Sequence, residues 1–345
     1  MKSSSLKAGF ILLIVILAPA IVTAGDKKES SRQKDFLSDP NVVTCELKDT
    51  TISMLDLEKN KLPSFVGRME RENRKDLKQG QLTLADRPFM ILLGERPEQE
   101  FFLYDIEKKI APYWWGSWSL HSYHIIDGKF YEFILTNDGK KIAARPYKGE
   151  LGTIKVGKGG RELEKVEFTG SVHQKASVSA PIGTIKERWP ESVTECVIPV
   201  GDYTANIMHI KYDNLDICIS NNYHTNARGQ SRSEKEIVYG MQVRKDKPYV
   251  LDFSNKPMVV FDEPSKDKTT FSRGDEIKFA AVLVDPELDI MIRGLDDKSV
   301  KVDRELKNSD GKVIQTIKVD KSLDPNVVIT RADGEIVAEG VMPFG

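Results

Sequence analysis

The amino-acid sequence predicts a mainly β protein, made of tandem antiparallel β-sandwich domains with one short N-terminal surface helix. Short apolar runs alternate with polar residues at a period of two: Ile277, Phe279, Ala281 and Leu283 fall on one side of an extended chain, and Lys278, Ala280, Val282 and Val284 on the other. Asp127-Gly128, Asp138-Gly139, Asp310-Gly311 and Asp333-Gly334 stand between such runs, and glycine accepts the positive φ that tight hairpin turns require. No regular alternation of strand and helix occurs, which argues against a doubly wound nucleotide-binding fold.

The N-terminus reads as a secretory signal peptide over residues 1–24. Lys2 and Lys7 form its positive region, Phe10 to Ala18 its apolar run, and Val22-Thr23-Ala24 the small-residue cleavage site. The apolar run is short of the roughly 20 residues a membrane span needs, so membrane contact is expected only if the segment stays uncleaved. Cleavage would remove Lys2, Lys7 and no acid, taking the net charge from −1 to −3. Residues 25–40 are charged and nearly free of apolar side chains, as expected of a flexible linker. Export leads to a periplasmic or extracellular location. No Asn-x-Ser/Thr acceptor follows residue 24, which leans toward a bacterial source.

A β-rich domain is expected over residues 41–180. Pro63 to Gln79 is the helix candidate, with proline at its start, mixed charge along it and Gly80 at its end. Strand-like runs then follow at Phe89–Leu93, Phe101–Ile106, Phe130–Leu135 and Lys141–Ala144. A middle β-rich unit is expected over 181–256. Within it Leu215, Ile217 and Ile219 face inward, which puts Cys218 on the other face beside Asp216. Asn221 to Glu236 lacks periodicity and reads as a long loop. Residues 257–345 are expected to form an immunoglobulin-like or fibronectin-like sandwich, with strands near Met258, Ile277, Ile290, Val302, Ile317, Val328 and Ile336.

The segments KDKPYVLDFSNKP, DPELDIMIRGLDD and SLDPNVVITRADGEIVAEGVMPFG resemble an uncharacterised group of secreted bacterial β-rich proteins with an immunoglobulin-like C-terminal sandwich. The resemblance spans roughly the C-terminal half and implies location and fold, with no known activity. Pro199 to Tyr203 likewise resembles turns of secreted prealbumin-like and immunoglobulin-like sandwiches.

Composition excludes one function class. The 51 basic and 52 acidic side chains balance, so there is no basic excess to hold nucleic acid. The three cysteines, Cys45, Cys196 and Cys218, are too few for a disulfide framework. A Cys196–Cys218 bridge between neighbouring strands is the expected pairing, worth roughly 3 kcal/mol on the chain-entropy account.

Gly152 to Gly159 follows the phosphate-loop pattern until its last position, where Gly159 replaces the hydroxyl residue that holds magnesium, so nucleotide binding is not expected. His121 and His124, three apart on a strand, point to opposite faces and make no metal pair. The oxygen-rich sets Asp285, Asp289, Asp296, Asp297 and Asp213, Asn214, Asp216 lack the calcium-loop pattern and fit turn and edge duty. No cofactor or metal is expected. The candidate binding platform is Tyr113, Trp114, Trp115 and Trp118, because an exposed indole can stack on a sugar or dock a protein. The same segment also fits a buried aromatic core.

These features describe an exported, non-catalytic envelope protein that binds or scaffolds a protein or glycan partner. The alternative is an extracytoplasmic hydrolase acting on a glycan or peptide.

Overall fold

The computed structural model describes residues 33–344 apart from 52–53, 55–73, 97–99, 112–118, 159–161, 163–164, 176–177, 187–188, 222–233, 254–256, 265–269 and 273. Two compact units divide the chain, residues 1–40 and 41–345. The first contains a short helix over residues 33–37. Among its described residues the second is mainly antiparallel β structure.

Two four-stranded sheets begin it. β1 (Val43–Glu46) and β2 (Lys48–Thr50) enter different sheets although only Leu47 separates them. β3 (Leu77–Leu84), β4 (Arg87–Leu93) and β5 (Phe101–Asp105) extend β2 in the order β2-β3-β4-β5. β6 (His124–Ile126), β7 (Lys129–Leu135) and β8 (Lys141–Pro146) join β1 in the order β1-β8-β7-β6. Their facing sides share one core, with Leu82, Phe89, Ile91 and Phe101 from one sheet and Phe133, Ile142 and Ala144 from the other. This is the sandwich that period-two alternation requires. β5 is buried on both faces, because Phe102 and Tyr104 point away from that core into a second cluster with Leu77, Leu92 and Ala111.

The helix expected over 63–79 falls largely outside the described residues, but Leu77, Lys78 and Gln79 belong to β3. Leu77, Leu82 and Leu84 are core residues, and cross-strand pairing with β4 overrides the local charge pattern. Gly80 ends no helix. A Cβ there would lie 2.5 Å from Cys45 Sγ, so glycine permits the close approach of β3 to the β1 segment.

The chain continues through β9 (Leu151–Val156), β10 (Val166–Gln174), β11 (Val178–Ile182), β12 (Thr184–Lys186), β13 (Trp189–Glu191), β14 (Glu195–Pro199), β15 (Gly201–Tyr212), β16 (Leu215–Asn221), β17 (Met241–Val243) and β18 (Tyr249–Leu251). It ends in β19 (Met258–Glu263), β20 (Ala280–Asp285), β21 (Ile290–Lys307), β22 (Val313–Ser322), β23 (Asn326–Thr330) and β24 (Ile336–Val341). A nine-stranded sheet runs β11-β10-β15-β16-β21-β20-β19, with β17 on β15 and β22 on β21. The three-stranded sheet β14-β9-β18 shares its core: Ile154, Ile198 and Leu251 meet Phe168, Met208, Ile210, Ile217 and Ile219.

This sheet crosses the boundaries expected near residues 180 and 256, since β10 pairs with β15 and β16 with β21. The seven strands expected after residue 257 become six among the described residues. Ile290 and Val302 belong to one 18-residue strand, β20 begins at Ala280 rather than near Ile277, and β19 to β22 belong to the large sheet. The Asp-Gly turns stand as expected, with Gly128, Gly139, Gly311 and Gly334 all at positive φ.

β15 holds the architecture together. Tyr203 is fully buried and its hydroxyl donates to the Pro199 carbonyl at 2.7 Å, which explains the Pro-x-Gly-x-Tyr spacing: the ring fills the core and its polar tip is satisfied by the turn. At Gly170, φ is +127°, and a Cβ would lie 2.1 Å from the Ile207 carbonyl oxygen on β15. Gly170→Ala therefore combines backbone strain with overpacking and is expected to cost about 3 kcal/mol, read as a lower urea midpoint.

Candidate functional site

Tyr113, Trp114, Trp115 and Trp118 lie outside the described residues. Their neighbours are core: Ala111 joins one hydrophobic cluster and Leu120 another. His124 is fully buried, with its imidazole edge-on to Phe101 and Phe133 at 4.8 and 4.9 Å between centroids. Burial holds its pKa down to about 3, against a hydrogen bond with the Ser119 backbone that works the other way. It is a neutral core histidine, while His121 is exposed at a turn.

Cys196 and Cys218 are free, as is Cys45. Their strands are not neighbours, which corrects the expected pairing: Cys196 on β14 faces Ile154, whereas Cys218 on β16 faces His209 on one side and Gly294 on the other. Gly152 to Val156 forms part of β9, so an extended strand occupies the first five positions of the phosphate-loop pattern. Asp285 and Asp213 do the turn duty expected of them, whereas Asp216 and Asp296 face each other across the β16–β21 pair. Asp285 Oδ1 accepts from the Glu287 and Leu288 amides at 3.0 Å, and Asp213 Oδ1 from the Lys165 amide at 2.9 Å. Among the described residues no group of three or more His, Cys, Asp and Glu is placed to hold a metal.

Two features stand out on the large sheet. The first is an apolar groove of about 610 Å³ between β19–β21 and the β23–β24 hairpin. A row of cross-strand partners leads into it, Ile219 to Ile292 to Leu283 to Val259. Ile219 is fully buried and Val259 is 52% exposed, so the core face of the sheet continues past the strands that cover it. Phe261, 45% exposed, and Ala281 form the next rung. Val328, Met342 and Phe344 face them from the hairpin side. That wall is pinned by the Met342 amide donating to the Pro325 carbonyl at 2.9 Å and the Phe344 amide to Asp324 Oδ1 at 3.1 Å. Arg293 is the charged residue of the lining.

The second is a charged ladder on the opposite parity. The two-residue turn at Asp213-Asn214, with Asp213 at φ 51°, sets Tyr212 against Leu215 and so His209 against Cys218 and Lys211 against Asp216. His209 Nδ1 lies 3.3 Å from Asp216 Oδ1, and Lys298 Nζ lies 3.2 Å from Asp216 Oδ2 and 2.8 Å from Asp320 Oδ2. Lys301 also pairs with Asp320. Hydrogen bonds to Asp216 and to Cys218 raise the His209 pKa to about 10, so the imidazole is a cation at neutral pH. Burial opposes the Asp216 charge, but His209 and Lys298 outweigh it and hold the carboxyl below its usual range. Sequence reading missed this cluster, although the Asp-Asn turn flanked by His209 and Cys218 carries the signal for it.

The chain matches no protein-family model, no curated protein and no solved structure.

The two histidines set opposite limits on stability. His124 has a depressed folded pKa, so the unfolded chain binds the extra proton between about pH 6.5 and 3 and stability falls as pH falls through that window. His209 has a raised folded pKa, so its contribution is complete below about pH 6.5 and is lost as pH rises toward 10. Each proton changes stability by at most about 1.4 kcal/mol per pH unit. In urea titrations across pH, His124→Leu should flatten the acid side and Asp216→Asn the alkaline side.

Proposed function

We propose that the chain is an exported, non-catalytic protein of the bacterial envelope that holds a protein partner in the groove beside β19. The observation that carries this is the apolar row from Ile219 to Val259, which leaves the core and reaches the sheet's end still apolar. Apolar area that folding leaves in water is retained where binding removes it. A lining of Val, Leu, Ile, Met and Phe suits apolar side chains better than sugar hydroxyls, which call for polar groups. β19 is the last strand in the sheet order, and a strand edge next to an apolar trough suits an extended segment that adds to the sheet by main-chain hydrogen bonds.

Export rests on Lys2, Lys7, the Phe10–Ala18 run and Val22-Thr23-Ala24. Among the described residues no helix is long and apolar enough to cross a membrane.

Expression in a Gram-negative host should yield periplasmic protein beginning at Gly25, read by intact mass. A cytoplasmic product that retains residues 1–24 would refute export. For the groove, residues 25–345 and the Phe261→Asp variant are compared in affinity capture from envelope extract, with bound proteins and glycans identified. Phe261 is 45% exposed, so the substitution should leave the thermal midpoint nearly unchanged while lowering retention of the bound protein at least tenfold. Equal retention by both forms removes the groove from the binding site.

A further inference from the structure

The groove leaves the second feature of the large sheet unused. Cys218 stands directly across from His209 in the β15–β16 pair, and the two side chains share a hydrogen bond. Asp216, two residues earlier on the same face, holds the other side of the arrangement through its contact with His209 Nδ1 at 3.3 Å. Lys298 in turn fixes Asp216 at 3.2 Å. Three side chains on neighbouring strands thus form a thiol, imidazole and carboxylate series.

The neighbouring strand leaves the thiol room. Gly294 is the β21 residue opposite Cys218, and even a Cβ added there would remain 3.6 Å from the Cys218 Cβ. Cys218 is partly exposed and makes no disulfide. The other two cysteines have different surroundings. Burial pushes the thiols of Cys45 and Cys196 up, and across the strand pairs Cys45 faces Ile142 and Cys196 faces Ile154.

We propose that Cys218 is a thiol–disulfide exchange site, at which His209 assists attack on a disulfide and the sulfur becomes covalently attached to one half of it. The Cys218 thiol releases its proton to water, because the protonated His209 cannot accept it, and the sulfur anion attacks one sulfur of the incoming disulfide. A new S–S bond forms, the old one breaks, and the other half leaves as a thiolate that takes a proton from the imidazolium or from water. The disulfide is the only oxidant, so electrons balance within the exchange. A cation held beside the sulfur stabilises the negative charge shared by the attacking and leaving atoms.

The charged groups around His209 come from five strands. Glu167 on β10 stands two positions from the His209 partner Thr169, Lys211 lies on β15 itself, Asp216 lies on β16, and Asp296 and Lys298 lie on β21. Asp320 on β22 completes the set through Lys298. Burial raises the Asp296 carboxyl.

The test uses native protein, residues 25–345, reacting with a low-molecular-weight disulfide near pH 7, with sites assigned by peptide mapping. Cys218 should carry the first adduct and react at least tenfold faster than Cys45 or Cys196, with release by dithiothreitol. His209→Gln should slow Cys218 at least tenfold, and His209→Lys, which keeps a cation, should restore most of the rate. Equal rates at the three cysteines, or a Cys218 rate unchanged in His209→Gln, overturn the proposal. The wild-type site map decides the matter even if a His209 variant folds poorly. Phe261→Asp should leave exchange unaffected, so failure of the groove reading and failure of this one are distinguishable. Intact mass of protein recovered from envelopes with thiols blocked separates the sources: a small adduct on Cys218 marks a free disulfide, a cross-linked polypeptide marks a protein disulfide, and an unmodified Cys218 overturns use of the site there.

Discussion

The register between β15 and its neighbours is the constraint on which most of the structure depends. This 12-residue strand pairs with β10, β16 and β17, and side-chain parity along it divides core from surface. Met208, Ile210 and Tyr212 face the core while His209 and Lys211 face away. A slip of one residue would drive both cations inward and strip three large side chains from the core. Gly170 and the Tyr203 hydroxyl act as stops against such a slip. The first permits contact with β15 at one position, and the second ties the strand's start to the turn that precedes it.

The same parity explains why a buried carboxylate is tolerated. Asp216 is only 7% exposed, and an unpaired charge at that depth would be strongly unfavourable. Parity places His209 and Lys298 within reach of both oxygens, so the carboxylate and the imidazolium keep each other charged. His124 shows the opposite solution. Surrounded by Phe101 and Phe133, it meets the cost of burial by remaining neutral. One residue type thus takes two charge states in one chain, according to whether a carboxylate or an aromatic ring is its neighbour.

Features that depend on a few consecutive residues were legible in the sequence. Asp127-Gly128 and Asp310-Gly311 announce hairpins because their chemistry is local, and the alternation of Leu215, Ile217 and Ile219 correctly turned Cys218 outward. Features that depend on distant pairing were not. Leu215 pairs with Asp297, so the expected domain boundary near residue 256 lies between strands that hydrogen-bond in one sheet. The end of the expected helix at Leu77–Gln79 failed for the same reason: its charges suit a surface helix, but β4 supplies a partner that turns the segment into a strand. The charged cluster occupied an intermediate place. A two-residue turn at Asp213-Asn214 implies the His209–Cys218 pairing from sequence alone, whereas Lys298 and Asp320 arrive from strands whose register no local signal sets.

In the C-terminal third, apolar patterning extends beyond its cover. β21 begins with Ile290 and Met291 buried, and its far half pairs with β22 where Val302 is 38% and Ile314 66% exposed. The β23–β24 hairpin has Val328, Ile336, Val337 and Val341 all more than half exposed. Two-stranded ribbons are marginal in water without a layer against one face. Yet the sequence keeps β-branched residues at these places, where polar ones would satisfy the strand pairing equally well. Strand propensity explains part of that choice. The groove makes the stronger argument, because there the apolar residues converge from two separate sheets onto one trough, and convergence is what a binding surface requires and what propensity alone does not produce.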